Sequence, residues 1–307
     1  MSTGTAAMSG NRTCSMEMQE LLLLAVNGMT KDALRGIRKF LRSQVRLDGG
    51  FKNRSGESDL YYGVFGGACR QAVKPGPLPG FAAHYLRQFG NGEDLDFVHL
   101  VCLARSLSAV PKAATPGRLD AVLSRIEEYR SQDGGYSHTK RNSSEGSPYA
   151  AFLALLAYED AREALPAGDN ILNSLEKSKA CDGAYSNEPG MKEGSTAATA
   201  AAVIVRTQLG NATDPRLSEW ILSRQSRHGG LLASPSAPAP DLLSTAVALF
   251  ALRRSAVSLS PLRDKTTDFI EMLWTENGGF SGHLLDNVAD CEYTFYALLA
   301  LGCLETE

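Results

Sequence analysis

The octapeptide Gln44-Val45-Arg46-Leu47-Asp48-Gly49-Gly50-Phe51 ends in a glycine turn that recurs along the chain. In each copy a polar residue precedes Gly-Gly or Gly-Ala, and an aromatic residue or a leucine follows. The other copies are Asp133-Gly134-Gly135-Tyr136, Asp182-Gly183-Ala184-Tyr185, His228-Gly229-Gly230-Leu231 and Asn277-Gly278-Gly279-Phe280. The last four copies recur about every 48 residues, and the first gap is nearly twice as long. We therefore predict a sixth, degenerate unit at Phe89-Gly90-Asn91-Gly92.

Each unit contains two helix patterns in the same order. The first helix is amphipathic, with apolar residues at helical spacing in Leu119, Val122, Leu123 and Ile126. The second helix is apolar on nearly all sides, as in Thr196–Val205, Leu242–Leu252 and Tyr293–Leu301. A helix that is apolar all round is buried on both faces. The alternation predicts an all-α fold, an α/α toroid (α6/α6 barrel) of six helix-pair repeats whose inner helices surround a central cavity.

The ends of the chain predict one folded unit. We expect residues 1–16 to be a disordered N-terminal segment, because small and polar residues prevail there, and residues 17–307 to form a single α/α-barrel domain. The apolar run 21–26 is short and follows Glu17 and Glu20, which does not fit a secretory signal. A transmembrane segment needs about 20 apolar residues, and we predict none.

Composition narrows the set of partners and compartments. The formal net charge is −3, and no basic patch is evident, so we expect no nucleic-acid partner. The 6 cysteines are dispersed and form no Cys-x-x-Cys pair. This usage predicts reduced thiols in a cytoplasmic protein, without a disulfide framework.

The repeated turn resembles a known family. Residues 44–51 are similar to the Q-x-x-x-D-G-G-F repeat of protein prenyltransferase β subunits and squalene–hopene-type terpenoid cyclases. Residues 129–136 and 276–280 resemble the same repeat, and the likeness spans roughly residues 33–304. The resemblance implies the toroid and a role that involves an isoprenoid. It does not fix the reaction, because the family contains several chemistries.

The resemblance also identifies where zinc binds in the prenyltransferases, namely at an Asp-x-Cys pair of the fifth unit and a His of the sixth. Here Asp241 matches, but Leu243 and Tyr293 stand at the cysteine and histidine positions. The diphosphate-binding Arg and His of the fourth unit are replaced by residues 188–194, Glu-Pro-Gly-Met-Lys-Glu-Gly. We expect a degenerate zinc site and no zinc cofactor. Carboxylates at Asp241, Asp290 and Glu292 leave magnesium as an alternative.

Acidic residues stand where the inner helices are predicted to begin: Asp59, Asp94, Asp241 and Asp290. Helix capping explains one acid per helix. Two pairs exceed this need, Asp94 with Asp96 and Asp290 with Glu292. The first pair partly resembles the Asp-x-Asp-Asp motif of class II terpenoid cyclases, whose middle Asp protonates an alkene or epoxide. The candidate catalytic acids are therefore Asp94, Asp96, Asp290 and Glu292.

Aromatic and polar residues at the same helix ends are candidates for the lining of the cavity. Aromatic rings of a cavity stabilise carbocations, whereas packing between the two helix rings is the structural alternative. We expect three histidines in or beside turns, His138, His228 and His283, to be exposed. The candidate cavity residues are Tyr61, Tyr62, Phe97, His99, Tyr149, Asp241, Tyr293 and Tyr296.

The sequence favours a prenyltransferase β-subunit-like or terpenoid cyclase-like protein that acts on or binds an isoprenoid, or another apolar small molecule, in the central cavity. As an enzyme it would be a class II terpene cyclase or a prenyltransferase-like transferase. Two alternatives stay open. One is a non-catalytic α/α-barrel binding or scaffold protein. The other is a divergent protein prenyltransferase that needs an α subunit as its protein partner.

Overall fold

The computed structural model describes residues 12–76 and 80–305, which are mostly helical. The helices in chain order are α1 (Cys14–Gly28), α2 (Lys31–Gln44), α3 (Leu60–Val73), α4 (Gly80–Arg87), α5 (Phe97–Ala109), α6 (Arg118–Glu127), α7 (Pro148–Ala161), α8 (Gly168–Lys177), α9 (Thr196–Gln208), α10 (Pro215–Leu222), α11 (Leu242–Arg254), α12 (Arg263–Glu271) and α13 (Cys291–Leu304). Two short 3-10 helices cover Pro111–Ala113 and Ser260–Leu262.

The helices from α2 onward form six pairs, and each pair consists of an outer helix followed by an inner one. The inner helices α3, α5, α7, α9, α11 and α13 pack side by side in chain order. The last of them, α13, also packs against α3, which completes the ring. The predicted α/α toroid of six helix pairs is confirmed, including the degenerate second unit, in which residues 88–92 form the turn after α4.

The recurring turn links each outer helix to the next inner helix, and Asp133 shows how. Its carboxylate accepts hydrogen bonds from the amides of Gly135 at 3.2 Å and Gly146 at 3.1 Å. A Cβ added at Gly135 would lie 2.2 Å from the Ser174 hydroxyl oxygen, so only glycine fits there. Asp182 repeats the arrangement in the fourth unit. The turn thus fixes where the following inner helix begins.

Two of these turns contain short antiparallel strand pairs. In the first unit β1 (Phe51–Lys52) pairs with β2 (Ser58–Asp59), with Phe51 opposite Asp59. In the fifth unit β3 (Leu231–Leu232) pairs with β4 (Pro240–Asp241), with Leu231 opposite Asp241. Each pair carries an aspartate directly to the amino end of an inner helix.

Every inner helix begins with a side-chain cap, so all six caps lie at one end of the ring. Asp96 caps α5 through the His99 amide at 2.9 Å, and Asp290 caps α13 through the Tyr293 amide at 2.9 Å. The expectation that Asp94 begins an inner helix was wrong, because the cap is two residues later and Asp94 is exposed. The other caps are Asp59, Ser147, Ser195 and Asp241.

Helix α1 lies outside the repeat and covers the opposite end of the ring, where the inner helices finish. It begins at Cys14, inside the segment that was expected to be disordered; residues 1–11 of that segment lie outside the described residues. Contacts join α1 to all six inner helices, through Ala68, Arg105, Glu159, Gln208, Arg254 and Gly302. Across the described ranges, we find no helix long and apolar enough to cross a membrane.

Candidate active site

Glu292, in the first turn of α13, is a buried carboxyl group at the capped end of the ring. It is 9% exposed, and its Oε1 accepts a 2.6 Å hydrogen bond from the Tyr61 hydroxyl of α3. Burial, with a smaller contribution from nearby Asp290, raises the pKa of Glu292 to about 7, although Tyr61 and Arg54 act in the opposite direction. A large share of Glu292 is therefore protonated near neutral pH.

The hydrogen bond with Tyr61 orients the carboxyl group of Glu292. With Oε1 accepting from the Tyr61 hydroxyl, the proton of the neutral form lies on Oε2. Burial raises the pKa of Tyr61 well above its usual range, so this phenol stays a donor. The pair presents one acidic proton in a position fixed by two neighbouring inner helices.

Aromatic rings surround this carboxyl group on α3 and α13. The Phe65 ring lies 4.9 Å from that of Tyr61, 5.2 Å from Phe295 and 5.7 Å from Tyr296, measured between centroids. Tyr61, Phe65 and Tyr296 are only half-buried although they belong to inner helices, so they face the space that the ring encloses. Glu292 also adds to the rise in the pKa of Tyr149 and Tyr296, behind burial as the main cause, which places both phenols within its electrostatic reach.

Asp290, the other acid on α13, is held by a cation. The Arg54 guanidinium approaches Asp290 at 2.8 Å and Asp286 at 2.7 Å. Burial raises the pKa of Asp290, and Arg54 counteracts this rise. Arg54 belongs to the loop between β1 and β2 in the first unit. Its ion pair with Asp290 therefore connects the first unit to the sixth. Asp290 therefore serves as a cap and as an ion-pair partner.

Asp96, the second acid of the pair before α5, has a different environment, which it shares with Asp59 of the neighbouring unit. His99 lies between two carboxylates, with Nδ1 at 2.8 Å from Asp96 and Nε2 at 3.6 Å from Asp59. Asp59 and Asp96 together raise the pKa of His99 to about 9. His99 in turn lowers the pKa of Asp59, and it lowers that of Asp96 although partial burial of Asp96 opposes this. Both carboxylates are ionised at neutral pH beside an imidazolium.

Of the remaining aromatic candidates, Tyr62 lies beside Tyr61, whereas Phe97 belongs to the core. Tyr62 contacts Tyr61, with ring centroids 5.6 Å apart, and burial raises its pKa to about 12. Phe97 was expected in the cavity but is fully buried between Tyr129 and Tyr136, so it packs the inner ring against the outer one.

The positions that correspond to the zinc ligands lie near Glu292. The Asp241 carboxylate accepts hydrogen bonds from the Ser244 amide and hydroxyl at 2.7 and 2.8 Å. The Tyr293 ring packs on Gly282, and the Arg54 guanidinium lies 5.2 Å from the ring centroid. Within residues 12–76 and 80–305, no three His, Cys, Asp or Glu side chains are grouped so that they could hold a metal ion.

The family model of the prenyltransferase alpha-alpha toroid domain matches residues 97–239, 201–261 and 245–307, which is more than half of the chain. The chain belongs to this family. No curated protein sequence matches the chain.

Solved structures share the toroid with this family member at low sequence identity. A type II terpene cyclase from Scytonema is 13% identical at a TM-score of 0.61, covering 92% of this chain and 98% of the cyclase. A single-substitution variant of this cyclase, in complex with its substrate geranylgeranyl dihydroxybenzoate, is 13% identical at a TM-score of 0.60, covering 94% of this chain and 97% of the variant. A protein geranylgeranyltransferase-I from Candida albicans, complexed with GGPP, is 14% identical at a TM-score of 0.52, covering 96% of this chain and 85% of the transferase chain. At these identities the likeness establishes the fold.

The toroid domain brings in two side chains that the sequence did not reveal as site residues. Arg54 is 236 positions from its partner Asp290, and its loop carries no recognisable motif. His138 was expected to be exposed, yet it is half-buried, accepts or donates a hydrogen bond at 3.0 Å with Ser147, and packs on Tyr149 at 5.3 Å. The only hint in the sequence was Ser147, the predicted start of α7, whose hydroxyl could serve as a hydrogen-bond partner for His138. His228 and His283 are exposed as expected.

Proposed function

We propose that this protein is an isoprenoid cyclase in which Glu292 donates the initiating proton. The observation that carries the proposal is a buried carboxyl group, with a pKa of about 7, that Tyr61 holds among aromatic rings. Protonation of an alkene or epoxide needs an acid that keeps its proton at neutral pH until the substrate is bound. The Scytonema neighbour, which has a substrate-bound structure, supports an isoprenoid as the ligand.

The reaction balances without a further reagent. The proton on Oε2 of Glu292 adds to one alkene carbon, and the positive charge on the adjacent carbon is attacked by the next double bond. Loss of a proton from the final cation gives a cyclic isomer with the mass of the substrate, and Glu292 regains a proton from solvent. Phe65 and Tyr296, whose rings are half-buried, offer aromatic surface that stabilises the intermediate cations.

Glu292 is a better acid for this step than either carboxylate beside His99. Asp59 and Asp96 are already ionised at neutral pH and therefore have no proton to give. Their imidazolium partner, with a pKa of about 9, is a weak acid that two carboxylates hold. Asp94 is exposed, and Asp290 is engaged with Arg54. Glu292 thus serves best among the four candidate acids.

A zinc-dependent prenyl transfer is the less favoured function. Zinc prefers Cys, His and carboxylate ligands, and the fifth and sixth units offer Asp241 with Leu243 and Tyr293. The Asp241 oxygens are occupied by Ser244, and the Arg54 cation lies over the Tyr293 ring. A guanidinium at this distance repels a divalent cation. We therefore propose that the enzyme works without zinc.

The decisive experiment compares products from four substrates. The purified chain is incubated with geranylgeranyl dihydroxybenzoate, geranylgeranyl diphosphate, farnesyl diphosphate or squalene, and extracts are analysed by mass spectrometry and NMR. We expect a cyclic isomer of unchanged mass from at least one of them, and none from Glu292→Gln. Glu145→Gln, an exposed glutamate before α7, is the matched control and retains the activity.

Other outcomes would assign another function. Recovery of every substrate unchanged, from protein that binds them, would support the non-catalytic binding alternative. Release of diphosphate with transfer of the prenyl chain to a peptide thiol would identify a prenyltransferase. Stoichiometric zinc in elemental analysis of the purified protein would overturn the proposed zinc-free site.

A further inference from the structure

A cavity of about 540 Å³ lies between α3 and α5, and we call it the lateral pocket. Leu60, Val64 and Gln71 line it from one face of α3, and this face is rotated away from that of Tyr61. Its other walls come from α4, the carboxyl half of α5, the start of α1 and the turn that ends at Phe51, with Asp160 of α7 and Phe295 of α13. Glu292 does not line it. The lateral pocket and the surroundings of Glu292 thus lie against different faces of α3, and Phe295 lines the pocket and also contacts Phe65.

Gly63 leaves the space that forms the lateral pocket. A Cβ added at this position would meet none of the described atoms within 4 Å, whereas a Cβ at Gly66 would lie 2.3 Å from the Phe51 ring. Close packing thus explains Gly66 and does not explain Gly63. Glycine in the middle of a helix is destabilising relative to alanine, so an open Gly63 is a cost that the packing of α3 does not require.

Two buried polar atoms at the lateral pocket have no hydrogen-bond partner among the described residues. One is the hydroxyl of Tyr85, a side chain that is 5% exposed, and the other is Nη1 of Arg70. Both residues line the pocket. A buried polar atom without a partner is destabilising, and most such atoms in folded proteins are satisfied. A ligand that bonds to both atoms would remove this cost.

The two polar atoms lie towards opposite ends of the pocket. Tyr85 packs beside Gly50 near the start of α3, whereas Arg70 belongs to its last turn. From Leu60 to Arg70 the helix rises about 15 Å. Apolar residues such as Val64 and Leu86 line the pocket along this length. The lateral pocket is thus elongated, with a polar atom towards each end and an apolar middle.

Charges differ between the ends. Arg70, Arg105 and Asp160 all line the pocket from the carboxyl halves of inner helices, and Arg105 pairs with Asp160 at 2.8 Å, which leaves the charge of Arg70 in excess. Near Tyr85, by contrast, the carboxylates of Asp48 and Asp59 contribute to its raised pKa, after burial. An anionic group is favoured at the Arg70 end and disfavoured at the Tyr85 end, where a neutral oxygen fits.

We propose that the lateral pocket binds an elongated, single-chain amphiphile with an anionic group at Arg70 and a neutral hydroxyl or carbonyl oxygen at Tyr85. Its apolar chain lies along α3 over Gly63. A straight hydroxylated fatty acid and a methyl-branched isoprenoid acid share this chemistry. The proposal does not depend on the reaction at Glu292.

Calorimetric titration of the full chain tests the proposal with ω-hydroxydodecanoate, dodecanoate, dodecanol and dodecanedioate. We expect ω-hydroxydodecanoate to bind most tightly, because only this probe has an anion at one end and a neutral oxygen at the other. Arg70→Gln should weaken both monoanions about tenfold or more, and Arg42→Gln, on the exposed face of α2, should not. Tyr85→Phe should remove only the advantage of the ω-hydroxyl group. Hydroxylated farnesoate then tells which chain type the pocket prefers.

Gly63→Leu fills the pocket and should abolish binding of every probe, while Glu292→Gln leaves the affinities unchanged. Circular dichroism checks that each variant is folded. If Gly63→Leu does not fold, Arg70→Gln and Tyr85→Phe decide the matter. The proposal fails if the wild type binds none of the probes, or if folded Gly63→Leu binds them as the wild type does.

Discussion

The same arrangement, an acid and a second acid two positions later, occurs before α5 and at the start of α13, yet the two pairs differ in protonation. Beside α5, His99 keeps Asp96 ionised. On α13, burial keeps a large share of Glu292 neutral, with Arg54 committed to Asp290. Solvent access and the nearest cation therefore decide what each pair can do, and the residue types alone do not.

The largest difference should appear when each pair loses its acid. Glu292→Gln removes the proton donor and should lower the rate of cyclisation by a factor of about 100 to 10,000, the usual contribution of general acid catalysis. Asp96→Asn should stay within about threefold of the wild type, because that carboxylate is ionised already. Single-turnover product formation measures both. A greater loss in Asp96→Asn would reverse the assignment of the acid.

The pH dependence should follow Glu292. Its pKa of about 7 means that the active, protonated form prevails below this value. The rate should be level at lower pH and fall about tenfold for each unit above neutrality. Asp96→Asn should give the same profile. A rate that rises through neutrality would instead indicate an ionised carboxylate acting as a base.

Removal of Arg54 should destabilise the protein more than removal of an exposed ion-pair partner does. Arg54→Met leaves Asp290 buried without its cation and should lower the free energy of unfolding by about 2 kcal/mol, a value reduced because Arg54 is partly exposed. Arg125→Met, which breaks the longer pair with the exposed Glu93, should lower the free energy of unfolding much less. Urea unfolding measures both variants. Equal losses would show that the Asp290 pair has no special role.

The smallest effect should come from His99. Its folded pKa is about 9, above the unfolded value of 6.5, so its contribution is complete below the unfolded value and is lost as the pH rises through the folded one. The stability difference between the wild type and His99→Gln should shrink across this range by about 1 kcal/mol or less, since His99 is about one-third exposed. Unfolding at several pH values tests it. A constant difference would contradict the ion pairing.

The fold could be predicted from the sequence because the repeat is local. The Asp133 carboxylate bonds to the amide of Gly135 two positions later, and five copies repeat the Gly-Gly or Gly-Ala pattern at a nearly constant spacing. The apolar inner helices follow from periodicity in the same way. Helix α1 was missed because it belongs to no repeat.

The site was only partly predictable, because its properties arise from distant contacts. Glu292 was among four candidate acids, and burial against Tyr61, 231 positions away, distinguishes it. Arg54 reaches Asp290 only because α13 packs on α3 and brings the sixth unit to the first. Protonation depends on this packing, so no spacing along the chain could reveal it.

Helix α1 gives the ring a floor. Since it contacts all six inner helices near their carboxyl ends, α1 closes one end of the ring. We call the opposite end, where the helix caps lie, the mouth of the ring. Inner helices of 13 or 14 residues separate the two ends of the ring by about 20 Å. Glu292, in the first turn of α13, is near the mouth. A chain held there would start its reaction at the rim, with its tail towards α1, and the distance to that floor would set the longest chain that fits.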